Sequence, residues 1–216
     1  MSDGVTEADA FSFGWEKTKG SLRFFFMSYI VSGLVFIPSG ILLVLTIVFA
    51  AKSDWTLTTI FAILTVIAWL IPYVALFVAY VKAGMLIAAG EEVAIRDCLP
   101  SLGEWWKVLI ANCVYATAVG IGLLLCVVPG IWFALKYWSY CWFIVAEGYG
   151  PIEALKAAGD LSRGITFDLL FFFVICGIIL GLGALAFLIG LAVAFPVVLM
   201  ATTYLFCKLT NAASVQ

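Results

Sequence analysis

Histidine is absent from the 216 residues, which removes the commonest general base and metal ligand together. Charge is scarce too: 11% of residues are Asp, Glu, Lys or Arg, against roughly 25% in a soluble domain. With no basic block and no acidic tail, nothing points to a nucleic-acid partner. The six cysteines, Cys98, Cys113, Cys126, Cys141, Cys176 and Cys207, form no CxxC pair, so the usual mixed zinc sites are excluded. Most of them sit in apolar runs, where cysteine acts as a small apolar residue. No phosphate-binding loop, dinucleotide fingerprint, HExxH or GxSxG occurs, and no cofactor or catalytic activity of the chain's own is expected.

What the chain has instead is apolar length. Hydrophobic residues make up 65% of it, which excludes a soluble globular class. Asp3, Glu7, Asp9 and Glu16 precede the first apolar run, and without a basic n-region no cleaved signal peptide is expected there.

A helix needs about 20 apolar residues to cross roughly 30 Å of hydrocarbon. Phe24–Ala51 supplies the first span, with Pro38 near its middle, and Leu57–Tyr80 the second, with an apolar extension to Gly90. Val108–Val128 is the third, closed by the turn signal Pro129-Gly130. Ile131–Ala146 is a short, aromatic fourth. Leu169–Cys207 would reach ~60 Å as one helix at about 1.5 Å per residue, so it is read as two spans, 169–187 and 190–207, turning near Phe187–Gly190.

The basic residues agree with six crossings. Lys17, Lys19 and Arg23 precede the first span; Lys82, Arg96 and Lys107 fall between the second and third; Lys156 and Arg163 precede the fifth; Lys208 follows the last. Basic residues of short loops are held on the cytoplasmic side, so the expectation is a bacterial inner-membrane protein with both termini cytoplasmic. Lys52 and Lys136 are the two exceptions.

Residues 1–23 read as an amphipathic cytoplasmic segment and 211–216 as a tail. Glu153, Lys156, Asp160 and Arg163 share one helical face, with Ile152, Leu155, Ala158 and Leu161 on the neighbouring one. Pro151 suits the start of that helix and Gly164 its stop, giving a short helix expected in the headgroup plane. Glu91–Lys107 is a weaker version, pairing Glu92 with Arg96. The pattern suggests three repeats of surface helix plus hairpin, echoed by KTKGSLRFFF at Lys17–Phe26 and LSRGITFDLLFFF at Leu161–Phe173.

Phe11-Ser12-Phe13-Gly14-Trp15, the run Gly122–Ile131 (GLLLCVVPGI) and Glu153-Ala154-Leu155-Lys156 with Leu161-Ser162-Arg163-Gly164 together resemble a bacterial family of multi-pass membrane proteins of unknown function. That family is related to the membrane domain of glycerophosphodiester phosphodiesterases. The resemblance implies an inner-membrane protein and no reaction. A serine often found in that surface helix of the family aligns with Ala158.

Lys136 stands within the fourth span beside Trp132, Tyr137, Trp138, Tyr140 and Trp142. An intramembrane charge is a functional hypothesis by default; here it either meets an anionic ligand in a pocket or snorkels to the outer interface. Asn112, Tyr115 and Thr117 form a polar patch on the third span, suited to interhelical hydrogen bonds. The ligand-binding candidates are thus Lys136, Trp138, Tyr140, Asn112 and Tyr115. Lys156, Arg163, Lys17 and Lys19 are the candidates for a lipid surface. Gly177 and Gly181 form a GxxxG on span five, and Ala116 with Gly120 and Ala118 with Gly122 repeat small-xxx-small spacing on span three, for close packing within the chain or between copies. Asp168 suits a helix N-terminus.

The resulting expectation is an all-α bundle of six transmembrane helices in three hairpins with short cytoplasmic helices. It would act through membrane lipids, through other membrane proteins or as a homo-oligomer. The alternative is a transporter or channel whose spans break at Pro38, Pro72 and Pro196, with Lys136 in the pathway.

Overall fold

The computed structural model describes residues 7–52, 54–91, 93–185 and 187–213. Nine α-helices run through them: α1 Glu7–Gly20, α2 Leu22–Ala51, α3 Trp55–Ala89, α4 Leu102–Leu125, α5 Val127–Lys136, α6 Tyr140–Glu147, α7 Pro151–Leu161, α8 Thr166–Leu185 and α9 Phe187–Ala213. A 3-10 turn at Ile95–Cys98 lies in the α3–α4 connection. Five stretches are long and apolar enough to cross a membrane: α2, α3, α4, α8 and Gly190–Asn211 of α9. The chain is an all-helical, multi-pass membrane protein.

Helices α2 and α3 pack antiparallel, and many of their apolar residues face outward while Phe25, Val74, Val78 and Val81 are buried. Leu34, Ile41, Val44, Ile47, Ile63 and Val66 are all exposed, which suits hydrocarbon and not water. Between the two helices sit polar pairs. Ser32 Oγ and Tyr80 OH are 3.0 Å apart, and Thr46 Oγ1 and Thr65 Oγ1 are 3.1 Å apart. Hydroxyl pairs of this kind join helices in lipid at about 0.6–2 kcal/mol each. Asp54 caps α3 by accepting the Leu57 N–H at 3.1 Å. Pro38, Pro72 and Pro196 lie inside continuous helices, so the breaks expected at these prolines are not there.

The chain departs from the expected spans in its second half. The fourth span is not one helix over 131–146 but two shorter ones, α5 and α6, separated at 137–139. The turn before it falls at Cys126, whose backbone is extended. Pro129-Gly130 lies in the first turn of α5, where a missing proline N–H costs no hydrogen bond. Side chains of α4 hold the broken segment: Tyr115 OH donates to the Ala134 carbonyl at 3.4 Å, and Asn112 Oδ1 accepts from Tyr140 OH at 3.1 Å. Gly122 and Gly130 let α4 and α5 touch, since a Cβ on Gly122 would come within 2.8 Å of Gly130 Cα. Helix α8 is described to Leu185 and α9 from Phe187, with Gly183 against Gly190 and Ala194; position 186 lies outside the described residues.

The core surrounds α6 and α9. Cys141, Trp142, Phe143 and Ile144 are consecutive and all buried, which requires neighbours on every side of α6. Trp142 Nε1 donates to Thr203 Oγ1 of α9 at 3.3 Å, and Phe143 packs edge-on against Phe206. Helix α1 packs along α9 through the small stripe Ala10, Gly14 and Thr18, each buried, while Phe11 stacks on Phe172 and Phe13 meets Tyr204. Residues 1–6 and 214–216, the ends of the expected N-terminal segment and tail, lie outside the described residues.

Candidate functional site: a basic cavity between α4, α5 and α7

Helix α7 begins at Pro151, as its sequence requires, and Gly164 follows it at φ +81°, a left-handed backbone that glycine takes without strain. The expected charged face is rearranged. Glu153 turns back to accept the Gly150 N–H at 3.1 Å, a cap that uses its carboxylate locally. Asp160 pairs with Arg163, Nε to Oδ1 at 3.4 Å. Ala154, Leu155, Ala158 and Gly159 are buried, so α7 docks on the bundle through small residues. The tightest point is Gly159, where a Cβ would lie 3.0 Å from Tyr137 Cε1 and 3.5 Å from Lys136 Cε.

This docking closes a cavity of about 530 Å³ lined by Lys136, Lys156, Arg163 and Asp160, with Val114, Tyr115, Ala118, Phe133, Tyr137, Ile152, Leu155 and Gly159. Its volume falls within the range of roughly 300–1,000 Å³ usual for small-ligand sites. Lys136 ends α5, where a cation is favoured by the helix dipole. Its ammonium lies 4.6 Å from the Trp132 ring centroid and 5.6 Å from that of Tyr137, within reach of cation–π attraction. Helix α7 packs beside it, with Gly159 near its Cε, and brings two more cations to the same cavity. Among the described residues, Lys136 and Lys156 have no ion-pair partner.

Of the expected ligand-binding residues, Lys136 and Tyr115 line the cavity. Trp138, Tyr140 and Asn112 do not. Trp138 is buried against Trp142 and Phe173, Tyr140 is buried between Phe77 and Tyr115, and Asn112 is taken up by Tyr140. These three hold the broken segment together. Thr117 donates to its own helix, at the Cys113 carbonyl. Lys156 and Arg163, expected on a lipid surface, stay exposed and line the open side of the cavity that Lys136 shares. Lys17 and Lys19 are elsewhere, over the rings of Phe13 and Trp15 on α1. Only Gly122 of the four packing glycines touches a neighbouring helix; a Cβ on Gly120, Gly177 or Gly181 would meet open space. The expected Glu92–Arg96 pair lies outside the described residues at position 92, and Arg96 approaches Asp97 at 3.6 Å. Lys82 pairs with Glu104 at 2.8 Å, inside the Ser101–Glu104 capping box that starts α4.

Sequence reading alone missed Phe133, Tyr137, Gly159 and Asp160 as cavity residues. The run Ala157-Ala158-Gly159 was the available signal, because small residues on a short helix mark the face that can approach another helix closely. No family model, curated protein or solved structure matches the chain. The family resemblance is therefore carried by the three quoted segments alone.

Proposed function

We propose that the protein is a non-enzymatic inner-membrane component that works by holding an anionic amphiphile in the cavity between α4, α5 and α7. The observation that carries this is the convergence of three cations, Lys136 at the end of α5 and Lys156 and Arg163 on α7 and the turn after it, on a largely apolar cavity. A negatively charged headgroup suits the cations, and Val114, Ala118 and Ile152 suit the adjoining acyl region. Purified protein titrated with phosphatidylglycerol is expected to gain thermal stability that phosphatidylcholine with the same chains does not give. Equal responses to the two lipids would remove the reading.

Six crossings with both termini cytoplasmic go with this proposal. In support, contacts between α4 and the α5–α6 segment run in antiparallel order. Gly122 meets Gly130, Tyr115 meets Ala134, Asn112 meets Tyr140 and Lys107 Nζ meets the Gly148 carbonyl at 2.6 Å. From residue 122 to residue 107 is ~22 Å of helix at about 1.5 Å per residue, so the two short helices together make most of a return. Cys126, exposed at the α4–α5 turn, then faces the periplasm. With Cys113 replaced by alanine, a membrane-impermeant maleimide added to intact cells is expected to label Cys126; labelling only after permeabilisation refutes the orientation. Cys98 does not confuse the readout. It is buried, and burial with the neighbouring Asp97 pushes its thiol up to about 11, leaving little reactive thiolate at neutral pH.

A further inference from the structure

We infer that the cavity is built for a doubly charged phosphomonoester headgroup in preference to the singly charged phosphodiester of common anionic lipids. This rests on the lipid-binding reading above and adds the chemical class of the ligand.

The first argument is charge. Lys136, Lys156 and Arg163 contribute three positive charges, and Asp160 is the one carboxylate among the described lining residues, leaving two positive charges. The phenols of Tyr115 and Tyr137 also face the chamber. A phosphodiester carries one negative charge and leaves one cation uncompensated. A phosphomonoester carries close to two at neutral pH, since its second ionisation falls near pH 6, and neighbouring cations favour the dianion further.

The second argument is donor count. A monoester presents three terminal oxygens, each a strong acceptor, whereas a diester has only two non-bridging ones. The cavity offers three separate cationic donors. Asp160 lies nearest the Nε of Arg163, at 3.4 Å, which orients the guanidinium while its terminal nitrogens stay available for the planar, two-pronged recognition that phosphate favours. Lys136, steadied over Trp132 and Tyr137, supplies a compact point charge from the opposite wall.

The third argument is the wall composition. Phe133, Val114 and Ile152 offer no donor or acceptor side chain, so a sugar, serine or second glycerol beyond the phosphate would find partners only at Asp160 and the Tyr115 and Tyr137 phenols. A terminal phosphate leaves no such group to satisfy.

The experiment uses the full-length protein in nanodiscs of phosphatidylcholine. Dioleoyl phosphatidic acid is compared with dioleoyl phosphatidylglycerol, and soluble glycerol 3-phosphate is added in a separate arm. Binding is read by native mass spectrometry and by thermal shift, for the native chain and for Lys136→Met and Lys156→Gln. Phosphatidic acid is expected to bind at least tenfold more tightly than phosphatidylglycerol, with the preference lost in both variants. Equal binding of the two lipids, reduced together by the variants, would overturn the monoester preference and leave the lipid-binding reading standing. Binding of neither lipid, or binding indifferent to both variants, would overturn the two together. Glycerol 3-phosphate as tight as phosphatidic acid would uphold the monoester chemistry and refute a lipid as its source.

Discussion

Reversing two charges, Lys156→Glu with Arg163→Glu, is expected to weaken anionic-lipid binding at least ~100-fold while leaving the fold intact. The size follows from what is removed. A hydrogen bond to a charged group contributes about 1.5–3 kcal/mol, so losing two costs about 3–6 kcal/mol, or two to four powers of ten at ~1.4 kcal/mol per decade. The new carboxylates also stand beside Asp160 and repel the ligand. Folding is spared because both side chains are exposed, and the Asp160–Arg163 pair, with side chains 67% and 77% exposed, contributes ~1 kcal/mol at most. A control separates local from general charge. Lys17→Glu with Lys19→Glu changes the net charge equally, but those residues lie over Phe13 and Trp15 on α1, outside the cavity. Binding should fall in the first double variant and stay within about threefold in the second. If both fall together, the attraction is a property of total charge and the cavity has no part in it.

The long apolar helices were legible because hydropathy over twenty residues is a bulk property that survives ignorance of packing. So was α7, whose ends are written locally in Pro151 and Gly164. The break at 137–139 was not. Apart from Lys136 and Ser139, Ile131–Ala146 is apolar or aromatic, with no glycine or proline to mark a bend. What stabilises the bend comes from α4, where Tyr115 and Asn112 meet the carbonyl and hydroxyl of residues 19 and 28 positions away. The sequence marks these two residues both as interhelical hydrogen-bonding groups and as ligand candidates; Asn112 does the first, and Tyr115 does the first and also lines the cavity. The cavity was half visible. Lys136 stood out as a charge in an apolar run, and Lys156 and Arg163 stood out as a basic face. Their meeting depends on α7 lying close to Tyr137 through Gly159, a tertiary fact without periodic signature. Periodicity could have placed α1, since Ala10, Gly14 and Thr18 recur at intervals of four, a small-residue stripe of the kind helices use for close approach.

That stripe leads to the largest structural effect expected of any single substitution. A Cβ on Gly14 would lie 2.7 Å from the Val197 carbonyl oxygen and 3.3 Å from the Ala201 nitrogen. Both are backbone atoms of α9, so no side chain can swing aside to make room. Gly14→Leu therefore has to push α1 off α9, and the contacts of Ala10, Phe11 and Phe13 go with it. Overpacking of a fitted contact costs about 1–3 kcal/mol when neighbours can adjust, and loss of the whole docked face exceeds that. Gly20→Leu is the matched control, because Gly20 ends the same helix and its Cβ would meet open space. In lipid, Gly14→Leu is expected to lower the midpoint of thermal unfolding and to admit trypsin at Lys17 and Lys19. Gly20→Leu should change neither by much. The comparison also tests whether α1 belongs to the bundle or lies on the membrane surface, as residues 1–23 alone would suggest. A surface helix would tolerate leucine at position 14, on its apolar side, with unchanged protection from the protease.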